Sequence, residues 1–185
     1  TFNIAPNSRI VLYAPTFRRN MSIEPYRIDW SRILGALRRH YATDNVTVIV
    51  RMHPNLIGKV STSSLVAFEG VVDGTRYHDM QELLTTADML ITDYSSSMFD
   101  FTMQGRPCIL YATDVAEYDR GYYFNFRELP YPLAENEDEL EALIDNFDHE
   151  GYTSRLEEFF TYRVGLNESG HAAQALAEWM VSHSK

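Results

Sequence analysis

The sequence predicts an α/β domain in which helices cover both faces of a parallel sheet. Short apolar runs typical of buried strands alternate along the chain with amphipathic segments typical of helices. Hydrophobic residues make up 45% and charged residues 23% of the 185 residues, as in ordinary globular domains. We therefore expect one domain over residues 1–185, built on a Rossmann-like sheet.

The first third of the chain predicts two strands with a helix between them. Arg9–Ala14 (RIVLYA) is apolar and is ended by a proline, and Val46–Arg51 (VTVIVR) is rich in β-branched residues. Asp29 is a candidate N-cap for a helix that runs to about residue 41. Apolar residues recur in that helix at helical spacing, so we expect Trp30 in the core.

The middle of the chain predicts three further strands. Leu65–Phe68 is a short apolar run, and Met89–Thr92 and Cys108–Tyr111 are two more. Asp79 opens a capping box for a short helix between the first two of these runs.

A hydroxyl-rich turn, Asp93–Ser97, follows the Met89–Thr92 strand. Ser96 or Ser97 is a candidate N-cap for a helix that passes through Met103 and is ended at Gly105. We call residues 93–97 the serine turn. A turn of this kind brings hydroxyls and backbone N–H groups together, which suits a phosphate, although capped helices of this type are also common without a ligand.

The last third predicts an aromatic loop and then helices. The loop covers residues 114–126, and its dense tyrosines and phenylalanines should pack against the sheet end and wall the ligand pocket. Asn136 opens a capping box for the next helix. Gly151 is expected to separate that helix from the following one, and His171–Val181 reads as the final helix.

Polar side chains follow three of the predicted strands. Thr16 and Arg18 come just after the first strand, His53 follows the second, and the serine turn follows the Met89–Thr92 strand. Ligands of open α/β sheets bind at the carboxyl ends of the strands. Arginine offers a fixed fork of donors to phosphate oxygens, and histidine can donate in either protonation state. The pattern therefore predicts a site for an anionic ligand.

Four motifs give this prediction a family. ITDYSSSMFDF at residues 91–101, YAPTFRR at 13–19 and RMHP at 51–54 together resemble the CDP-glycerol glycerophosphotransferase family, the teichoic-acid and capsule polyol-phosphate transferases. YDRGYYFNF at 118–126, followed by LPYP at 129–132, fits the same family. The family's later Asp-Gly-x-Ala-Ser-x-Arg run is replaced by Ser-Gly-His-Ala-Ala-Gln-Ala at 169–175.

The resemblance implies a fold and an activity. It implies the C-terminal, donor-binding half of a GT-B-type transferase, and since the first residue is not Met we expect a piece of a longer two-domain protein. The implied reaction moves glycerol phosphate from CDP-glycerol to a polyol-phosphate polymer, releasing CMP. The acceptor site and the catalytic base would lie on the missing N-terminal domain, so this piece alone should be inactive. The full-length protein is expected in the cytoplasm, peripheral to the inner face of the bacterial membrane.

The resemblance also implies roles for residues. Arg51 and His53 are implied to be catalytic. The implied donor-binding residues are Thr16, Arg18, Arg51, His53, Thr92, Asp93, Ser95, Ser96 and Asp100. Asp100 has an alternative reading as support for the start of its helix. We expect no cofactor and no metal, because the histidines lack metal-ligand spacing and there is no Asp-x-Asp motif.

Several alternatives stay open at this point. CDP-ribitol or another CDP-polyol would fit the same motifs. A GT-B glycosyltransferase that uses a nucleotide-sugar shares the architecture but leaves the TDYSS and RMHP motifs unexplained. A non-catalytic nucleotide-binding module is the third alternative. A serine hydrolase is disfavoured, since no Gly-x-Ser-x-Gly elbow surrounds the serines.

Charge is distributed unevenly over the chain. The net charge is −10, but residues 1–60 carry nine basic and three acidic residues, whereas the rest carries seven and 23. Positive charge therefore gathers where the anionic ligand is expected. The acidic remainder argues against nucleic-acid binding. Arg32, Arg38 and Arg39 are expected only to solvate a helix face.

Overall fold

The computed structural model describes residues 2–57, 63–118, 121, 123–166 and 169–184. Within these residues the strands are β1 (Arg9–Ala14), β2 (Val46–Val50), β3 (Val71–Asp73), β4 (Met89–Thr92), β5 (Cys108–Tyr111) and β6 (Leu133–Ala134). They form one parallel sheet in the order β3-β2-β1-β4-β5-β6. The strand order reverses between β1 and β4, and in sheets of this topology that point opens the ligand crevice.

Helices cover both faces of the sheet. They are α1 (Trp30–Tyr41), α2 (Met80–Thr86), α3 (Ser97–Thr102), α4 (Glu137–Asp145), α5 (His149–Glu158) and α6 (Ala172–His183). Single 3-10 turns lie at Glu24–Tyr26, Pro54–Leu56, Ser63–Leu65 and Phe126–Glu128, and a π-helical turn, Phe159–Val164, continues α5. Helices α1 and α4 pack on one face, and α2, α3 and α5 pack on the other. The predicted α/β architecture is confirmed.

Alternation along β1 shows how the two faces divide the core. Val11 and Tyr13 belong to the cluster under α1 and α4, while Leu12 and Ala14 belong to the opposite cluster. All four side chains are buried. Both faces of a central parallel strand are therefore apolar, which explains why the strands read as continuous hydrophobic runs.

The predicted helix starts are confirmed by their hydrogen bonds. Asp29, Asp79 and Asn136 each accept a hydrogen bond from a backbone N–H in the first turn of their helix. Trp30 is buried in the core, as predicted. Within the described residues, no helix combines the length and the apolar character needed to cross a membrane.

The prediction of the third strand was wrong. The chain forms a 3-10 turn at Ser63–Leu65 instead of a strand at Leu65–Phe68, and the third strand is β3. The carbonyl of Leu65 accepts a hydrogen bond of 2.6 Å from the indole N–H of Trp30, which ties this segment to α1. Gly70, at φ 89°, then turns the chain so that β-branched residues pair with β2.

Helix α3 is shorter than predicted, and its cap differs. The helix ends at Thr102, and Met103 lies beyond it with half of its surface exposed. Ser96 occupies the N-cap position, but its side chain makes no capping hydrogen bond. The hydroxyl of Ser95 instead accepts from the N–H of Ser97, at 3.3 Å. Ser95 therefore provides the hydrogen-bond acceptor for the first backbone N–H of α3. The side chain of Ser96 is left exposed.

Gly151 lies inside α5 and does not separate two helices as predicted. The break falls at residues 146–148, where Asp148 caps α5 by accepting from the N–H of Gly151 at 2.9 Å. A Cβ at position 151 would lie 2.0 Å from Oδ2 of Asp148, so the cap requires glycine there. The predicted final helix is present as α6, and its residues are exposed.

Candidate functional site

A cavity of about 290 Å³ opens at the carboxyl edge of the sheet, where the strand order reverses. Segments that follow β1, β2 and β4 form its walls, and the first turns of α2 and α3 close it. The lining residues are Ala14, Pro15, Arg51, Met52, His53, Pro54, Met80, Ser95, Ser96, Ser97 and Asp100. The sequence-predicted residues Arg51, His53, Ser95, Ser96 and Asp100 are thus brought together.

Arg51 supplies a permanent positive charge to this cavity. Its Nε donates at 3.3 Å to the sulfur of Met80, and a thioether sulfur is a weak acceptor. Its Nη1 is buried and has no hydrogen-bond partner among the described residues. Burial lowers the pKa of Arg51 and the charge of Asp79 opposes that effect, but the guanidinium stays charged at neutral pH. The side chain therefore holds donors ready for an anion.

His53 stands at the mouth of the cavity with a defined tautomer. Its Nδ1 accepts a hydrogen bond of 3.1 Å from the backbone N–H of Asn55. A backbone N–H can only donate, so the neutral ring carries its proton on Nε2. The ring also lies 5.7 Å from the ring of Phe17, centroid to centroid. This arrangement orients an imidazole N–H donor.

The serine turn forms the opposite wall. The hydroxyls of Ser95 and Ser97 are hydrogen-bonded to each other at 2.7 Å, while Ser96 is exposed. Asp100, one helical turn later, is exposed and lies 3.4 Å from the amide nitrogen of Gln81. Hydroxyls and a carboxylate at this wall can bind phosphate oxygens and polyol or ribose hydroxyls, respectively.

Three of the residues predicted to bind the ligand lie behind the cavity wall that the serine turn forms. Thr92 is fully buried and its hydroxyl donates to the carbonyl of Ala14 at 2.6 Å. Asp93 is 1% exposed and accepts from the backbone N–H of Thr16 at 2.7 Å. Arg18 is buried and donates to Asp93 at 2.8 Å. The structure gives these side chains partners within the protein, and contact with a ligand stays a prediction for each.

Thr16 is a different case among the predicted residues. It follows Pro15, which lines the cavity, and its own hydroxyl is buried without a hydrogen-bond partner among the described residues. A buried hydroxyl of this kind costs free energy unless something pairs with it. Thr16 itself is not among the residues that line the cavity, so contact between this hydroxyl and a ligand stays a prediction.

The aromatic loop packs as predicted in part. Tyr118 stacks on Tyr94 with ring centroids 3.6 Å apart, and Phe126 is buried. Tyr123 is fully exposed, contrary to the expectation of dense packing, and Tyr122 lies outside the described residues. The described residues of the loop do not line the cavity of about 290 Å³, contrary to the prediction, and instead wall a second, more apolar cavity of about 210 Å³.

Sequence reasoning missed two residues near the site. Met80 lines the cavity, although the capping box had located the start of its helix without indicating which way the side chain faces. Asp114 pairs with Arg18 through two hydrogen bonds, and nothing in its local sequence indicated that partner. Among the described residues, no group of three His, Cys, Asp or Glu side chains is placed to hold a metal ion.

Comparison with known proteins gives this site a family. The family model for CDP-Glycerol:Poly(glycerophosphate) glycerophosphotransferase matches residues 1–182. The chain belongs to this family. The family resemblance predicted from the four sequence motifs is confirmed.

Named relatives within this family include glycerol-phosphate and ribitol-phosphate enzymes. The chain is 32% identical over 184 residues to a teichoic acid glycerol-phosphate transferase of Staphylococcus aureus (strain NCTC 8325 / PS 47), covering 95% of this chain and 46% of the relative. It is 28% identical over 171 residues to the ribitol-phosphate polymerase TarK of the same strain, covering 88% of this chain and 32% of the relative. The chain thus spans less than half the length of these relatives.

Solved structures agree with this assignment. The wall teichoic acid polymerase TagF superposes with a TM-score of 0.72 at 28% identity, covering 97% of this chain and 44% of that chain. A variant of the same polymerase has been soaked with CDPG. The calicheamicin glycosyltransferase CalG4 superposes with a TM-score of 0.54 at 12% identity, a likeness that shows only a common fold with this chain. These likenesses confirm the predicted Rossmann-like half of a GT-B-type fold.

Proposed function

We propose that this chain is the donor-binding half of a CDP-polyol-dependent polyol-phosphate transferase. The main support for this proposal is that Arg51, His53 and the serine turn surround one cavity at the point where the strand order reverses. Membership in the CDP-glycerol glycerophosphotransferase family supports a CDP-polyol as the donor. This chain matches only 46% of the length of a glycerol-phosphate transferase, which supports a second domain in a longer protein. We propose that residues 1–185 form one domain of that protein.

The proposed chemistry transfers a phosphoryl-linked polyol. An acceptor hydroxyl, whose proton passes to the base proposed on the N-terminal domain, attacks the β-phosphorus of the donor. The bond from that phosphorus to the bridging oxygen breaks, and CMP leaves with the bonding electrons. Arg51 and the Nε2–H of His53 would bind the pyrophosphate and offset the charge that grows on CMP. Catalysis here rests on positioning and electrostatic stabilisation. The hydroxyls of Ser95 and Ser96 complete the proposed cradle.

We propose CDP-glycerol as the donor and CDP-ribitol as the second candidate. The glycerol-phosphate transferase is the more similar of the two relatives and is covered over more of its length. The ribitol-phosphate relative keeps the larger polyol in consideration. A carboxylate at Asp100 suits hydroxyl recognition in either donor.

The remaining partners follow from the family. The acceptor would be a polyol-phosphate polymer of teichoic-acid or capsule type, bound by the N-terminal domain together with this edge of the sheet. We propose a cytoplasmic protein that is peripheral to the inner face of the bacterial membrane in its full length. Binding through this chain alone would be limited to the nucleotide donor.

A donor panel tests the proposal. Isothermal titration of the full-length protein with CDP-glycerol, CDP-ribitol, UDP-glucose and CMP should give the tightest binding for CDP-glycerol. Preference for CDP-ribitol would move the proposal to the second polyol. Preference for UDP-glucose would instead support a nucleotide-sugar transferase. Binding of CDP-polyols without turnover in the presence of a teichoic primer would support a non-catalytic module.

A further inference from the structure

A buried ion cluster lies behind the donor cavity. The side chain of Arg18 is 8% exposed and lies between two carboxylates. Its Nε and Nη2 donate to the two oxygens of Asp114 at 2.6 and 2.9 Å, and its Nη1 donates to Asp93 at 2.8 Å. Nη1 also donates to the carbonyl of Thr16 at 2.6 Å. Most of the five N–H groups of the guanidinium are therefore used inside the protein.

This cluster joins three segments that end at the same edge of the sheet. Arg18 follows β1, Asp93 follows β4 and Asp114 follows β5. Asp93 accepts from the backbone N–H of Tyr94 at 2.7 Å, and the Tyr94 hydroxyl donates to Asp114 at 2.9 Å. Tyr94 is thus held at both its backbone and its phenol end. The next residue along the chain is Ser95, which lines the cavity.

The charges in this cluster stabilise its ion pairs. Burial opposes the charge of Arg18, but the hydrogen bond with Asp114 and the charge of Asp93 outweigh it, so the pKa of Arg18 is raised. Burial acts to raise the pKa of Asp114, and the hydrogen bond from Arg18 outweighs it, so that pKa is lowered. The guanidinium also lies 4.9 Å from the centroid of the Tyr94 ring. Removing one carboxylate would leave a buried charge partly uncompensated.

We propose that Asp114 is a positioning residue for the donor site. Through Arg18 and Tyr94 it fixes the serine turn against the loop after β1, so that Ser95 and Ser96 face the cavity. Asp114 does not line the cavity, so it would act without touching the ligand. The kinetic consequence rests on the proposed function, whereas the structural consequence does not.

The test compares Asp114→Asn with a matched control in the full-length protein. Asp145→Asn removes the charge from another two-point arginine–aspartate pair, with Arg39, at 2.9 and 2.7 Å. Arg39 lies in the last turn of α1, which runs back from β1 to the opposite edge of the sheet. We expect Asp114→Asn to lower kcat/KM for CDP-glycerol by about 10- to 100-fold, the scale for a displaced catalytic group. Asp145→Asn should leave kcat/KM unchanged.

Amide hydrogen exchange provides a readout that does not depend on the activity. Asp114→Asn should accelerate exchange in residues 93–101 while exchange in β1 stays as in the wild type. Asp145→Asn should not change exchange in residues 93–101. Faster exchange throughout the domain, β1 included, would show a purely structural role and overturn the proposal.

Two further variants keep the proposal testable if Asp114→Asn does not fold. Tyr94→Phe keeps the ring and removes only the hydrogen bond to Asp114, so it should produce a smaller change of the same kind in the serine turn. Ser96→Ala combined with Tyr94→Phe should cost less than the product of the single losses, because both act through one turn. Unchanged exchange in Tyr94→Phe, or strictly multiplicative losses, would overturn the proposal. A wild-type enzyme that turns over neither CDP-glycerol nor CDP-ribitol would contradict the proposed function and leave the exchange test decisive.

Discussion

His53 is the residue on which the proposed chemistry depends most. Its Nδ1 is occupied by the N–H of Asn55, so Nε2 is the nitrogen that carries a proton to a ligand. Charge on the departing CMP grows toward the transition state, and a donor that meets it there acts on kcat more than on donor affinity. The tautomer is fixed locally by the 3-10 turn that follows β2.

Replacing His53 therefore gives the first prediction. In the full-length enzyme, His53→Ala should lower kcat by about 10²–10³-fold, the scale for losing one preorganised donor. Steady-state kinetics with CDP-glycerol and a teichoic primer measure it. The control is His149→Ala, since His149 stacks on His40 near the end of α1, at the opposite edge of the sheet. A normal kcat with only a raised KM would make His53 a binding residue.

The site residues that the sequence could predict share one property. Arg51, His53 and the serine turn each directly follow a strand, and parallel strands bring such positions to one edge whatever the side chains do. The pairing of Arg18 was beyond reach, because Asp114 lies 96 residues away and its partner depends on the packing of two loops. A local motif identifies an arginine but not the carboxylates that neutralise it.

At the scale of elements, the contact between α1 and the segment before β3 replaces a predicted strand. The indole N–H of Trp30 donates to the Leu65 carbonyl, and both residues are buried. Apolar character alone could not separate a strand from a buried turn at Leu65–Phe68, because both bury the same side chains. The strand that does form, β3, has only three residues and leaves a weak periodic signal.

This contact predicts a stability effect. Trp30→Phe keeps an aromatic ring but leaves the buried Leu65 carbonyl without its donor, so it should lower the free energy of unfolding by about 1–3 kcal/mol. Denaturant unfolding monitored by circular dichroism measures the change. Trp179→Phe is the matched control, because Trp179 is 58% exposed on α6 and should change stability by about 0.5 kcal/mol at most. Equal effects for both tryptophans would argue against the contact.

At the scale of the whole molecule, several basic residues of the first third pair with acidic residues from the rest of the chain. Arg32 and Arg39 of α1, expected only to solvate a helix face, form ion pairs with acidic residues of α4. These pairs remain partly accessible to solvent, so each contributes little to stability. Arg18 is neutralised by its two carboxylates. Of the described residues that line the cavity, Arg51 alone carries a permanent positive charge.

The limited coverage of relatives yields a prediction about activity. Residues 1–185 alone should not turn over CDP-glycerol with a teichoic primer, because the acceptor site and the base are proposed to lie on another domain. The chain should still bind CMP or CDP weakly through the cavity. A coupled assay for CMP release, with the full-length enzyme as the positive control, measures this. Turnover by the isolated chain would place the acceptor site within it.

Donor binding by an Arg51→Ala variant of the full-length protein tests the central claim most directly. Arg51→Ala removes the charged donors from the cavity, and hydrogen bonds to charged groups contribute about 1.5–3 kcal/mol, so calorimetry should show CDP-glycerol binding roughly 10- to 150-fold more weakly. The control is Arg9→Ala, at the start of β1 and paired with Asp88, which should bind CDP-glycerol as the wild type does. Equal affinities for Arg51→Ala and Arg9→Ala would contradict a phosphate site in this cavity.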